Sequence, residues 1–332
     1  MEDLQSAKNR FRSSGLLVSL SVIAFAVIIG GLFFNSHSEP VQKSSPEKDV
    51  TSNELVFTTV QIPEKLEFAN ELVPLANFDV RESLDREMLS VANFHSQALL
   101  YIKKSKRYFT IIEPILKKNG IPEDFKYLAL AESGFLDKIV SPSGAVGIWQ
   151  FMKTAAVENG LEVNEEVDER CHIEKATQAA CRFLKNSYAK YGNWTMVAAS
   201  YNAGIGGVNR QAIAQESNNY YDLLLNEETS RYIFRILALK LVIGNPLKYG
   251  FKINEEEKYP IIPVNEVTVD GSIKNFTDFA RSNNINYKLF KQFNPWLKQT
   301  YLKNPKKKTY TFKIPDTGKY RSFVFADHTG AQ

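Results

Sequence analysis

The chain's 332 residues, 44% hydrophobic and 23% charged, exclude a wholly disordered polymer and leave room for one sizeable core and a small accessory domain. A formal net charge of +4 is compatible with an acidic polymer as partner without demanding one, and no nucleic-acid-binding motif occurs. With four histidines and two cysteines at no metal-ligand spacing, the sequence predicts no metal site and no cofactor, and no G-x-S-x-G elbow supplies a serine nucleophile.

Residues 1–14 are polar and carry Lys8, Arg10 and Arg12, and residues 15–34 form an uncharged apolar run of twenty, the length of a membrane-spanning helix. Basic residues ahead of the run predict a cytoplasmic N-terminus. The expectation is therefore a single-pass inner-membrane anchor with the remainder of the chain on the periplasmic side. Ala24-Phe25-Ala26 mimics a signal-peptide cleavage site, but the run continues eight residues past it, which favours an uncleaved anchor. Residues 35–58, with Pro40 and Pro46, read as a flexible polar linker, and residues 55–62 as a β-rich arm onto the next domain.

From residue 82 to about 243 the hydrophobic spacing is helical, without parallel-strand alternation, and the central domain is predicted to be α-helical over residues 59–250 with its core at 104–245. Leu84, Met88, Leu89, Ala92, Leu99, Leu100 and Ile102 suit one long amphipathic helix. Ser105 is placed to cap a second, burying Tyr108, Ile111, Ile112, Ile115 and Leu116 and ending at Asn119-Gly120. Pro122 then stands in the first turn of a short apolar helix that carries Glu132. The glycines at 144 and 147 mark a tight turn into a helix expected from Ile148. Further helices are predicted over residues 173–188, 194–201 and 229–243. The second of these leads into a glycine-rich turn from Asn202 to Gly207, which no strand precedes and which is therefore no dinucleotide fingerprint.

Residues 251–332 change character. β-like Ile261, Ile262, Val264 and residues 267–269, helical spacing at Ile273, Phe276, Phe279 and Ala280, then Tyr287, Leu289 and Phe290, and a β-like 310–315 predict a small strand–helix–helix–strand domain with a tail. Lys303 and Lys306-Lys307-Lys308 read as a solvated loop tip of that unit. Cys171 and Cys181 are left between a disulfide and two buried apolar side chains. On one continuous helix their ten-residue separation spans about 15 Å, so a bridge requires Cys171 to precede the helix and fold back.

Glu132 is the only carboxylate in a helix otherwise built of Ala, Leu and Tyr, a setting that disfavours its charged form. Taken alone, it reads better as a solvated helix end, since charged residues are mostly exposed. The residues around it decide. Ser105-Lys106-Arg107-Tyr108, Gly120-Ile121-Pro122-Glu123-Asp124, Glu132-Ser133, the 141–150 stretch Ser-Pro-x-Gly-Ala-x-Gly-Ile-Trp-Gln, Asp168-Glu169-Arg170, Ser200-Tyr201-Asn202-Ala203-Gly204 and Glu228-Thr229-x-x-Tyr232 occur in one register. This set resembles the bacterial lytic transglycosylases with a goose-lysozyme-like (SLT) catalytic domain, and within them the membrane-bound murein transglycosylase D group. Ser200 and Trp149 depart from the usual Ala and Met.

The resemblance implies a mainly α, lysozyme-like catalytic domain acting on peptidoglycan glycan strands. It cleaves the β-1,4 bond between N-acetylmuramic acid and N-acetylglucosamine to leave a 1,6-anhydromuramyl end, with Glu132 as acid and then base. Ser141, Trp149, Gln150, Tyr201, Asn202 and Tyr232 are the implied substrate-binding set. Ser141 and Gln150 would hold the sugars, Asn202 and Tyr232 would orient Glu132 or the sugar, and Tyr201 and Trp149 would offer flat faces to pyranose rings. The segment at about 260–316 resembles a degenerate LysM module, with Asp270-Gly271-Ser272-Ile273 in place of its usual opening. A monomer is expected. A muramidase that activates water at the same Glu132, and a non-catalytic peptidoglycan scaffold, are the rival readings.

Overall fold

A computed structural model of the chain describes residues 59–316 and Gly318, which lie in one compact unit. The anticipated anchor, most of the linker and the tail beyond residue 318 fall outside the described residues. Among the described residues no helix is long and apolar enough to cross a membrane.

The described region is mainly helical. A two-residue hairpin, β1 (Glu67–Phe68) and β2 (Glu71–Leu72), precedes α1 (Phe78–Asn93), α2 (His95–Lys118), α3 (Phe125–Ser133), α4 (Lys153–Glu158), α5 (Ile173–Tyr191), α6 (Trp194–Ala203), α7 (Ile205–Ala214) and α8 (Glu227–Gly244). Helix α8 is the axis of this domain. It packs against α1, α2, α3 and α6, and buries Tyr232, Ile233, Ile236, Leu237, Val242 and others on nearly every side.

Several predicted boundaries move. The long first helix breaks at Phe94, whose backbone leaves the helical region, so its expected residues are shared by α1 and α2. Ser105 caps nothing. It lies buried inside α2 with its hydroxyl donating to the Ile102 carbonyl, a bond a helix interior can satisfy as well as a cap can. Helix α2 then runs through Pro114 and stops at Asn119 and Gly120, as expected. Helix α3 starts at Phe125, three residues beyond Pro122. The helix expected from Ile148 starts at Lys153, because Gly147 and Gln150 both adopt positive φ and hold residues 147–150 in turns. The glycine-rich turn at 202–207 is shorter than predicted: Gly204 breaks the chain, and Gly206 and Gly207 already belong to α7.

The C-terminal unit matches its predicted order of elements. Strand β3 (Val264–Val269) pairs antiparallel with β4 (Tyr310–Pro315), Val264 opposite Pro315 and Val269 opposite Tyr310, with α9 (Phe276–Ser282) and α10 (Tyr287–Phe293) between them. Residues 261–263, expected to be β-like, are not in a strand. Phe276, Phe290 and Phe312 are wholly buried and meet Phe279 and Trp296 through tilted or edge-on rings. Asn294 pins this core. Its side-chain amide donates to the Lys313 carbonyl at 2.8 Å and accepts from the Lys313 N–H at 2.8 Å, which fixes the end of α10 onto β4.

The small unit docks on residues 162–174 of the helical domain. Asp168 N–H donates to the Trp296 carbonyl and Lys298 N–H to the Glu166 carbonyl, each at 2.8 Å, around a Val167–Leu297 bridge. Lys308 pairs with Glu162 at 3.0 Å, so the basic loop is not wholly a solvated tip. A cavity of about 690 Å³ lies between the two domains, walled by residues that include Arg107, Asp137, Ile148, His172 and Trp296. Cys171 precedes α5 and joins the small unit's core, whereas Cys181 lies in the core of the helical domain, and both are free thiols.

Candidate active site

Helix α3 brings Glu132 to the site. Its Phe125, Leu128, Ala129 and Leu130 are wholly buried, so it is fixed by packing on more than one side. Gly134 ends it in the left-handed conformation (φ 57°), and a Cβ there would lie 2.8 Å from the Tyr101 ring. Lys104 donates to the Gly134 carbonyl at 2.9 Å, a cation at the negative end of the helix. Phe135, also at positive φ, stacks on Tyr108 at 4.8 Å.

The Glu132 carboxyl is pushed up to about 7, chiefly because burial strips water from its charged form. A hydrogen bond donated by the Tyr232 hydroxyl to Glu132 Oε1 opposes this, the negative charge of Glu228 reinforces it, and the positive charge of Arg235 opposes it. Glu228, Tyr232 and Arg235 follow at i, i+4 and i+7 on α8, one stripe of one helix. Near neutral pH Glu132 is therefore close to half protonated and can give or take a proton.

Helix α6 supplies Tyr201 and Asn202. The Tyr201 hydroxyl donates to the Trp149 carbonyl at 2.6 Å, and burial together with the charge of Glu132 raises its own pKa far above the usual phenol value. Asn202 spans two helices: its amide donates to Glu228 at 3.1 Å and accepts from the Thr229 hydroxyl at 2.8 Å. Thr229 N–H in turn is capped by Asn226 at 2.9 Å, which fixes the start of α8 and with it the stripe facing Glu132.

Residues 141–150 form a tight loop. The Ser141 hydroxyl accepts from Ala145 N–H at 3.0 Å and lies 2.9 Å from the Ser143 hydroxyl. Gln150, at φ 47°, donates its side-chain amide to the carbonyls of Gly147 at 2.8 Å and Ile139 at 3.3 Å. Both side chains thus shape the loop and remain half-buried at its surface.

The flat face expected of Trp149 is not there. Its ring is wholly buried, donates its indole N–H to Thr177 at 2.9 Å, and meets Tyr201 edge-on. Tyr201 is only partly exposed and is boxed in by Trp149, Phe151 and Phe183. The two acids nearest in sequence, Asp124 and Asp137, do not join Glu132. Asp124 is held by Lys240 and the Ala69 N–H, each at 2.7 Å, and Asp137 lines the interdomain cavity. Sequence reasoning missed Glu228 and Arg235 as neighbours of Glu132, although their seven-residue spacing across Tyr232 was the available signal.

Residues 109–224 match the family model described as the transglycosylase SLT domain, and residues 265–318 match the soluble lytic transglycosylase C-terminal LysM-like domain. The membrane-bound lytic murein transglycosylase D of Escherichia coli strain K12 is 26% identical over 182 residues, covering 53% of this chain and 39% of that protein, and the same protein of strain CFT073 matches equally. The chain thus spans about two fifths of the length of these curated relatives. Among solved structures, the 70 kDa soluble lytic transglycosylase of E. coli is 19% identical at a TM-score of 0.39, covering 53% of this chain and 32% of that one. An inactive mutant of the lytic transglycosylase Slt from Pseudomonas aeruginosa is 18% identical at 0.35, covering 46% and 26%. The matches place a transglycosylase SLT domain at residues 109–224 and a LysM-like domain at residues 265–318, and over 182 residues the chain is similar to the membrane-bound lytic murein transglycosylase D.

Proposed function

We propose that this chain is a peptidoglycan lytic transglycosylase that cleaves the N-acetylmuramic acid–N-acetylglucosamine β-1,4 bond and leaves a 1,6-anhydromuramyl end. The observation that carries the reading is a single carboxyl, Glu132, held by Tyr232 with its pKa pushed up to about 7. Ordinary glycosidases flank the scissile bond with two carboxylates. Asp124 is held by Lys240, Asp137 lines the interdomain cavity, and Glu228 is tied to Asn202 at 3.1 Å, where its charge helps Glu132 keep its proton.

In the first step Glu132 gives its proton to the glycosidic oxygen and the C1–O bond breaks, while the sugar's own acetamido group stabilises the cation at C1. In the second, the Glu132 carboxylate takes the proton of the C6 hydroxyl as that oxygen bonds to C1. An internal nucleophile has the effective-concentration advantage that a water molecule lacks. Ser141, Gln150, Asn202, Tyr201 and Tyr232 are the residues we assign to sugar contact or to orienting Glu132, and Trp149 we assign to support Tyr201 from behind. We further take residues 15–34 as the membrane anchor, 59–250 as the catalytic domain and 251–332 as the LysM-like domain and tail, with the catalytic domain in the periplasm. The enzyme would need no cofactor.

Mass spectrometry of digested peptidoglycan tests the reaction. Anhydro ends without solvent oxygen are expected, and reducing ends carrying oxygen from labelled water would instead make the chain a muramidase. Glu132→Gln should lower turnover at least about 100-fold, the scale of losing a general acid. Unchanged turnover in that variant would remove Glu132 from the mechanism.

A further inference from the structure

The 141–150 loop passes through the left-handed backbone region at three positions. Gly144, Gly147 and Gln150 all have positive φ, at 87°, 83° and 47°. For Gln150 such a conformation persists only where its surroundings impose it. Its own hydrogen bonds to Gly147 and Ile139 hold it locally, and three further contacts brace the loop on the side of the LysM-like domain.

The first is apolar. Val146, in the middle of the loop, bridges to Val140 and Phe151 and is buried in the LysM-like core with Phe276, Phe290 and Phe312. The second is polar. Arg170 is buried, and its guanidinium donates to the carbonyls of Gly144 at 3.3 Å and Phe151 at 3.1 Å, one on each arm of the loop. Two further donors of the same planar fork engage Asp168, at 2.9 Å and 2.7 Å, and the Asp168 N–H is held by the Trp296 carbonyl of the LysM-like domain at 2.8 Å. The third is close backbone approach: a Cβ on Gly147 would lie 2.0 Å from the Arg170 carbonyl oxygen, so the loop lies directly on the docking segment.

A buried ion pair adds little net stability over apolar packing of the same volume, because both charges must leave water. What Arg170 supplies that apolar packing cannot is a fork that fixes two loop carbonyls and one carboxylate at once. We propose that the LysM-like domain holds the substrate loop in its sugar-binding shape, with Arg170 as the positioning residue through which its docking reaches Ser141 and Gln150. The proposal rests on the reading of that loop as a sugar-binding element. It gives the LysM-like domain a role in the catalytic site whether or not it binds glycan itself.

The test uses the full chain carrying Arg170→Lys, Leu297→Ala or both. Lysine keeps the charge but loses the fork, and Leu297 lies in the LysM-like core at the bridge to Val167. Hydrogen exchange of amides 141–151 is one readout, and the KM and kcat for peptidoglycan are the other. Each single variant should speed loop exchange about 10-fold or more without moving α8, and should raise KM while the pH midpoint of kcat stays put. Because both act through one path, the double variant should do no more than the larger single effect. Multiplying effects, or loop exchange unchanged in both single variants, would overturn the proposal. If Arg170→Lys does not fold, Leu297→Ala with Val146→Ala carries the same comparison. An inactive native chain would overturn the proposed function while loop exchange still decides this inference, and an active native chain with an unmoved loop would overturn this inference alone.

Discussion

A carboxyl group near the end of an apolar helix does not keep its proton on that account alone, because a Glu on the outer face of such a helix meets water. Glu132 keeps it chiefly because it is buried, with the negative charge of Glu228 on α8 adding to that effect while Tyr232 and Arg235 on the same helix oppose it. The signs of these effects predict a pH profile. In the proposed mechanism the protonated form starts the reaction, so activity should fall as pH rises through about 7, the value to which Glu132 is pushed. The Tyr232 hydrogen bond favours the carboxylate and so lowers this pKa. Tyr232→Phe should therefore shift the alkaline limb upward, by about one to two pH units, since a hydrogen bond to a charged group contributes about 1.5–3 kcal/mol. The rate of anhydro-end release between pH 5 and 9 is the measurement, and a limb that stays or moves down would remove Tyr232 from the control of Glu132. At this scale the motifs made Glu132, Ser141, Gln150, Tyr201, Asn202 and Tyr232 visible in the sequence. Which face of Trp149 is free was not visible, because an aromatic ring suits a sugar platform and a packed core equally well. Its burial is decided by α5, from which Thr177 meets the indole N–H.

The elements were legible where one rule acted alone. Helices α5 and α8 and strand β4 lie close to their predicted spans because their apolar periods are long or regular and their ends carry ordinary stop signals. Boundaries failed where the backbone breaks while the apolar pattern runs on. The break at Phe94 lies inside a continuous helical period, and the delayed start of α4 follows from a loop that is shaped from outside. That loop offers a controlled test in its two glycines. Gly144 and Gly147 have nearly the same φ, 87° and 83°, but a Cβ on Gly144 meets nothing within 4 Å, whereas one on Gly147 meets the Arg170 carbonyl. Gly144→Ala should cost only the left-handed backbone, about 1–2 kcal/mol. Gly147→Ala should cost about 3 kcal/mol or more, because the loop must also lift off residue 170. Urea unfolding of the two variants gives the comparison, and equal losses would show that backbone conformation alone sets the cost at both positions.

At the scale of the whole molecule, the two domains do not own separate cores. Val146, Val167 and Cys171 belong in sequence to the SLT side of the chain but are buried among the aromatic residues of the LysM-like unit. Main-chain hydrogen bonds at 166–168 and 296–298 continue that contact, and ion pairs from Lys308 to Glu162 and Lys313 to Glu174 border it. A unit the size of the LysM-like segment, residues 265–318, buries too little surface to be robust alone and draws part of its core from its neighbour. The order of elements in sequence announced a separate small domain, but nothing in the sequence could show that its core would be completed from residues more than a hundred positions earlier. The consequence is cooperative unfolding. Calorimetry of the chain should show one transition for the described region, with calorimetric and van't Hoff enthalpies in agreement. Leu297→Ala, which empties a wholly shared part of the interface, should lower that single transition by about 2–5 kcal/mol, the range for deleting a buried leucine. Two resolved transitions, with only the smaller one moved by Leu297→Ala, would mean that the LysM-like unit folds on its own and merely rests on the catalytic domain. In that case the shared core would not transmit its state to the loop beside Glu132.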